Sequence, residues 1–219
     1  EIATQNFPRA EFILENFILK NHVNLLSGDG GIGKTTLAIH AAVAIAAGVS
    51  LFGQQTIQAP ALLVLAEDDY GETKGRLEAV CGHLNVKLGH IPLRTWCLPG
   101  QDLTLAIVGD DGREEKTPPF MAELRRVLSE NRGAFVVIDG LADVASLNES
   151  LRLPVNTFLK RILAGLCVEF GITILLLAHP SKAAMANGFK YSGSTAFNNS
   201  VRNRLSLEKV EDGSDRRIL

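Results

Sequence analysis

Two hydrophobic patterns alternate along the chain. Continuous apolar runs, typical of strands buried on both faces, occupy residues 22–26, 61–66, 134–139 and 172–179. Segments with apolar residues at helical spacing lie between them, at 33–48, 71–84, 120–131 and 153–170. This alternation predicts an α/β fold with a mostly parallel central sheet flanked by helices.

Three further segments complete the prediction. Residues 91–98 fit another strand, whereas residues 99–119 carry Gly, Asp, Pro and charged residues without periodicity and are predicted to form a loop. Polar and apolar residues alternate over 201–210, which predicts a strand, and the polar residues 211–215 predict a hairpin turn. We therefore expect antiparallel strands at the C-terminal side of the fold.

Composition narrows the class of protein. The chain has 219 residues, of which 46% are hydrophobic, enough for one domain with a buried core. The net charge of −2 gives no overall attraction to nucleic acid or membranes, so any nucleic-acid contact must be local. No apolar run approaches the length of roughly 20 residues needed to cross a bilayer, so no membrane partner is expected. The three cysteines form no C-x-x-C pair, which favours reduced thiols and a cytoplasmic protein.

A glycine-rich stretch after the first strand fits two phosphate-binding patterns. Gly28, Gly30 and Gly33 match G-x-G-x-x-G, but no acidic residue follows at the distance that a dinucleotide ribose requires. The pattern G-x-x-x-x-G-K-[ST] also needs a lysine and a hydroxyl residue, and Lys34 and Thr35 supply them. The P-loop is therefore favoured, and its predicted nucleotide-binding residues are Gly28, Asp29, Gly30, Gly31, Ile32, Gly33, Lys34, Thr35 and Thr36.

Polar side chains follow three other predicted strands. Asp139 ends an apolar strand and is the candidate Walker-B carboxylate, which together with Thr35 would hold Mg²⁺. Glu67 follows another strand and is the candidate base for the attacking water; of its acidic neighbours, one is expected to cap the next helix. His179 ends a third strand, where it could sense the γ-phosphate or simply be satisfied by a neighbouring polar group.

The ordered motifs resemble a known family. The P-loop, Glu67, "DGLADV" (139–144), "AHPSK" (178–182) and "GSTAFNNSVRNRL" (193–205) are similar to the RecA-fold (RecA/DnaB-like) P-loop ATPases. The resemblance is closest to the branch of the plasmid hexameric replicative helicase RepA and related phage and plasmid AAA-family ATPases. It covers nearly the whole chain, so we expect residues 1–219 to form a single RecA-like ATPase domain. Because the chain begins at Glu1 and stops within a strand pattern, we expect the natural protein to continue at both ends.

The resemblance implies roles for particular residues. It makes Glu67 the catalytic base, Asp139 the Walker-B acid and His179 the link between the γ-phosphate and DNA-facing loops. It makes Arg202 a finger that acts on the nucleotide of a neighbouring subunit, although Arg204, two residues on, would share its face of a strand. Arg76 would stack on adenine, or else pair with Glu72 one helical turn away.

Cofactors and partners follow from the same resemblance. We expect ATP and Mg²⁺ as cofactors, and a homo-oligomer that forms a hexameric ring. The loop 181–192 contains Lys182, Phe189, Lys190 and Tyr191 and would face single-stranded DNA, although the same residues suit an ordinary surface loop. The expected function is a DNA-dependent motor ATPase, a RepA-like replicative helicase. The alternatives are an ATP-switched regulatory or recombination-mediator ATPase that does not unwind DNA, and a small-molecule kinase.

Overall fold

A six-stranded parallel sheet forms the centre of the molecule. The computed structural model describes residues 10–179, 197, 200–210, 214 and 216–219. The central strands are β3 Val23–Ser27, β4 Ala61–Leu65, β5 Leu93–Cys97, β8 Phe135–Asp139, β10 Thr173–Ala178 and β11 Asn203–Ser206. They run in the spatial order β11-β3-β10-β8-β4-β5, and every neighbouring pair is parallel. The α/β class and the mostly parallel sheet are confirmed.

Helices cover both faces of this sheet. Their bounds are α1 Lys34–Ala47, α2 Tyr70–His83, α3 Pro119–Glu130, α4 Leu141–Val144, α5 Arg152–Asn156 and α6 Ala164–Phe170. Residues Thr157–Leu163 form a π-helical segment that joins α5 to α6, so the predicted helix at 153–170 is one continuous element. No helix in the described part of the chain has both the length and the apolar character needed to cross a membrane.

Alternate residues of each strand serve different cores. In β8, Phe135 and Val137 pack with α1 and α2, whereas Val136 and Ile138 pack in the layer that contains α3 and α6. Because side chains alternate across a strand, a strand buried on both faces must be apolar throughout. This double burial explains why the central strands are continuous apolar runs.

The segment 99–119 differs from its prediction as a loop. It contains β6 (Ala106–Val108) and β7 (Glu114–Lys116), which pair antiparallel with each other, and β6 also pairs in parallel with β9 (Ala145–Ser146). These strands have two or three residues each, too few for a period of two to be visible in the sequence. Their partner β9 is also distant in the chain, so tertiary contacts select these strands.

Two other short pairings complete the fold. An N-terminal hairpin of β1 (Phe12–Leu14) and β2 (Ile18–Leu19) precedes the central sheet. The strand predicted at 201–210 is divided into β11, which runs parallel to β3, and β12 (Glu208–Lys209), which pairs antiparallel with β13 (Arg217–Ile218). The expected antiparallel C-terminal strands are therefore β12 and β13.

Candidate nucleotide-binding site

Four neighbouring strands bring the predicted site residues to one edge of the sheet. The order β3-β10-β8-β4 places side by side the glycine-rich loop, His179, Asp139 and the acidic segment after Leu65. All four strands are parallel, so their carboxyl ends meet at the same edge. This edge is where open α/β sheets bind their ligands.

The glycine-rich loop needs its glycines for different reasons. A Cβ atom on Gly28 would lie 2.7 Å from the carbonyl oxygen of Leu207, so only glycine allows this close approach to the C-terminal segment. Gly31 and Gly33 have φ angles of 70° and 106°, which other residues seldom adopt. Gly33 begins α1, and within the described chain no side chain caps this helix N-terminus. Its backbone N–H groups are therefore available to an anion.

Lys34 lies inside the loop rather than in solvent. Its side chain is buried, and Nζ donates hydrogen bonds to the carbonyl oxygens of Gly28 (2.9 Å) and Asp29 (3.0 Å). It also lies 3.4 Å from His179 Nδ1, so the ends of β3 and β10 are in direct contact. Burial lowers the pKa of Lys34, and the negative charges of Asp139, Asp29 and Glu67 oppose this shift. The site therefore holds a partly desolvated cation at the centre of the loop.

Thr35 and Asp139 form the second contact between strand ends. The Thr35 hydroxyl donates to Asp139 Oδ2 at 2.5 Å. Burial raises the pKa of Asp139; the hydrogen bond from Thr35 opposes the shift, and the charges of Glu67 and Asp68 add to it. A hydroxyl and a carboxylate in a negative environment are suitable ligands for Mg²⁺, which is usually held by one or two carboxylates with substrate phosphates and water. The residues present therefore fit the predicted metal.

The three acidic residues after β4 occupy different environments. Glu67 is exposed, and its charge acts on both Lys34 and Asp139. Asp68 is partly buried and forms an ion pair with Arg76 at 2.6 Å. Asp69 caps α2 by accepting a hydrogen bond from the backbone N–H of Glu72 at 2.8 Å. The expectation that one neighbour of Glu67 caps the helix is met by Asp69.

Arg76 is held by two carboxylates in this structure. One guanidinium nitrogen contacts Asp68, and the other contacts Glu72 Oε1 at 2.5 Å. The pairing with Glu72 is the one that the spacing on α2 allowed as an alternative to adenine stacking. The stacking role of Arg76 remains a prediction.

Arg202 and Arg204 lie away from the loop of their own subunit. β11 pairs with β3 in a register that aligns Asn203 with Asn24 and Ser206 with Ser27. Arg202 precedes Asn203, so it lies roughly 13 Å below the end of β3 at the usual rise of a strand. Both arginines are exposed, and Arg202 lines a surface groove together with Lys160 and Val168. The predicted DNA-facing loop 181–192 falls outside the described residues.

Sequence reasoning missed the surface on the other side of the loop. A cavity of about 710 Å³ is bordered by Gly31, Gly33 and Thr36, and by the rings of Phe17 and Phe52. Gly53 marked a turn in the sequence, but a single phenylalanine in a turn carries no periodic signal. The cavity exists only because tertiary packing brings the N-terminal hairpin next to α1.

Comparison with known proteins agrees with this geometry. Fold and site together define a RecA-like P-loop ATPase. A family model described as an AAA domain matches residues 2–185, and the chain belongs to that family. Among solved structures, the ATPase domain of a helicase is similar, with a TM-score of 0.58 and 14% sequence identity over 89% of this chain and 73% of that one. No curated protein matches the chain.

Proposed function

We propose that the chain is a Mg²⁺-dependent ATPase that acts in a ring-shaped, DNA-dependent motor, similar to the replicative helicase RepA. The observation that carries the proposal is the linked set of contacts at the sheet edge, His179 to Lys34 and Thr35 to Asp139. Each contact joins the glycine-rich loop to a different strand end. Such an arrangement can couple the state of a bound phosphate to several strands at once.

Each residue at the edge has a proposed task. Lys34 and the N–H groups that begin α1 would hold the phosphates, since an ammonium ion and a helix N-terminus both favour anions. Thr35 and Asp139 would hold Mg²⁺, which supplies positive charge to the transferring phosphoryl group. Glu67 is the proposed general base, because it is exposed to water and close enough to act on Lys34 and Asp139. His179 would report the loss of the γ-phosphate through Lys34.

The arginines on β11 support a site shared between subunits. Arg202 lies at the amino end of β11, whereas the P-loop lies at the carboxyl end of β3. A positive charge from a neighbouring subunit would stabilise the transition state only in an assembled ring. We therefore propose Arg202 as the finger, with Arg204 as its rival, and a homo-hexamer as the active form.

Single-stranded DNA is the proposed effector. The sequence of loop 181–192 combines lysines for phosphates with aromatic rings for bases. Hydrolysis of ATP should therefore be measured with and without single-stranded DNA, in the presence of Mg²⁺. We expect DNA to accelerate turnover, and a Lys182→Ala, Lys190→Ala double variant to lose that acceleration while keeping its basal rate. A wild-type rate that does not respond to DNA would argue against the motor.

Unwinding is tested separately on a forked DNA substrate. Strand displacement that requires ATP would support the helicase. DNA-stimulated hydrolysis without displacement would instead favour an ATP-switched regulatory ATPase. Hydrolysis that survives at full rate in Glu67→Gln would contradict the proposed base and reopen the kinase alternative.

A further inference from the structure

The cavity beside the glycine-rich loop is continuous with the proposed phosphate site. Gly31, Gly33 and Thr36 border it on one side, so a ligand that occupies the loop can extend directly into it. Its remaining wall is largely apolar and includes Ile32, Leu37 and Leu207. Its volume of about 710 Å³ lies within the range of small-molecule sites.

Phe52 is presented to this cavity by an unfavourable backbone conformation. Leu51 and Gln54 exchange two backbone hydrogen bonds, of 3.0 and 2.9 Å, around a two-residue turn. Both turn residues have positive φ, 52° for Phe52 and 75° for Gly53. Of the four non-glycine residues with positive φ in the described chain, the other three are asparagines, which tolerate this region. A bulky residue in this conformation indicates a local requirement for its side chain.

The ring of Phe52 is also more exposed than stability alone would favour. Its exposed fraction is 60%, although it is a phenylalanine beside an apolar core. It contacts Phe17 edge to face, with ring centroids 6.4 Å apart. Phe17 is half-buried and continuous with the core around α1, so it supports the exposed ring.

The opposite side of α1 offers a less suitable aromatic surface. There Arg76 is already held by Asp68 and Glu72, so its guanidinium would have to leave two carboxylates to stack on a base. Tyr70 on that side is 61% exposed, almost the same as Phe52. It lies at the start of α2 and lines no cavity that borders the glycine-rich loop in the described structure.

We propose that Phe17 and Phe52 form the wall of a nucleobase subsite, on which the base of the bound nucleotide stacks. The inference rests on the proposed function, since it assumes that the loop binds the phosphates of a nucleotide. Stacking on a phenyl ring tolerates different bases, because every base has a π-face. The subsite therefore selects a nucleoside over inorganic phosphate chains rather than one base over another.

The test compares binding of ADP and of inorganic tripolyphosphate to the full chain. Phe52→Asn removes the ring and keeps the turn, because asparagine tolerates positive φ. We expect this variant to weaken ADP binding about tenfold, in the range measured for loss of one stacking ring, and to leave tripolyphosphate binding unchanged. Phe52→Tyr should retain wild-type affinity for both ligands.

Matched controls separate the possible failures. Tyr70→Asn removes an equally exposed ring on the other side of α1, and Val168→Ala alters a distant exposed residue; both should keep wild-type ADP affinity. Unchanged ADP binding in Phe52→Asn, or an equal loss of tripolyphosphate binding, would overturn the subsite while the proposed ATPase stands. A wild-type protein that binds neither ligand would instead contradict the proposed function itself.

Discussion

At the residue scale, three consecutive acids show that position decides chemistry. Glu67, Asp68 and Asp69 have similar side chains and ordinary pKa values that differ little in water. In the folded chain, Asp69 caps a helix, Asp68 pairs with Arg76, and Glu67 is exposed at the sheet edge. The different partners predict different consequences when each residue is replaced.

The first prediction separates catalysis from stability at this segment. Glu67→Gln should lower kcat about 10²- to 10⁴-fold, the usual contribution of a general base, with ATP affinity and thermal stability preserved. Asp69→Ala should do the reverse, losing about 1 kcal/mol of folding free energy with the helix cap while turnover continues. Steady-state kinetics and chemical denaturation measure the two effects. Equal losses of activity in both variants would contradict the assignment of Glu67.

The second prediction concerns the buried carboxylate. Burial raises the pKa of Asp139, so the native state holds this proton more tightly than the unfolded state does. Its contribution to stability is therefore present below the unfolded pKa and is lost as the pH rises through the native pKa.

Asp139→Asn removes this titration. The difference in Tm between Asp139→Asn and wild type should increase in favour of the variant as the pH rises from about 4, the ordinary range of Asp, towards neutrality. Thermal melts over this pH range, without nucleotide or metal, measure the difference. A difference that stays constant would contradict the proposed burial of charge, and Mg²⁺-dependent hydrolysis should be lost independently of pH.

At the element scale, the glycine-rich loop depends on the C-terminal segment as much as on its own sequence. The loop backbone at Gly28 lies against Leu207, which follows β11, and the Leu207 N–H donates to the carbonyl oxygen of Ser27 at 2.8 Å. The glycines within one motif are therefore under different constraints. Gly28 is fixed by a tertiary contact, whereas a Cβ atom on Gly30 would meet nothing within 4 Å.

The third prediction uses these two glycines as a matched pair. Gly28→Ala should destabilise the protein by about 1–3 kcal/mol, since the added methyl group would meet a backbone carbonyl that cannot move freely. Gly30→Ala should change stability by no more than about 0.5 kcal/mol. Urea denaturation without ligand measures both. Similar destabilisation by the two variants would indicate that the contact with Leu207 is not the constraint.

At the scale of the whole molecule, the order of the strands builds the site. β3, β4, β8 and β10 are far apart in sequence, yet they are consecutive in the sheet and end at one edge. Arg202 lies outside this arrangement, at the other end of the strand pair β11 and β3. The proposed ring would complete the site by bringing this arginine from a neighbouring subunit.

The fourth prediction tests sites shared between subunits. Lys34→Ala and Arg202→Ala should each lose most ATP hydrolysis, the first by weakening phosphate binding and the second with ATP affinity intact. When the two variants are mixed and allowed to exchange subunits, some sites combine an intact loop with an intact arginine. We therefore expect a mixture to recover part of the activity, and the mass in solution to exceed that of one chain.

The matched arginine provides the control for that experiment. Arg204→Ala, mixed with Lys34→Ala in the same way, should show little loss of its own if Arg202 is the finger. Absence of any recovery in the Arg202 mixture, although mixed assemblies form, would contradict the assignment in trans. Loss and recovery with Arg204→Ala alone would transfer the role to that residue.

The sequence by itself determined the elements and most of the chemical groups. Buried parallel strands must be apolar on both faces, so β4, β8 and β10 are visible as continuous runs. The glycine-rich loop and its lysine are local in sequence, so the P-loop could be recognised without the fold. The short strands β6 and β7 could not, because their pairing depends on partners elsewhere in the chain.

Only the tertiary structure decided which groups meet. The sequence contains Asp139 and His179 but does not state that one contacts Thr35 and the other Lys34; strand order fixes those neighbours. The same holds for the Phe17–Phe52 pair, whose rings belong to separate local turns. Local patterns arise from interactions between residues near in sequence, whereas a binding site depends on distances across the sheet, which exist only once the chain has folded.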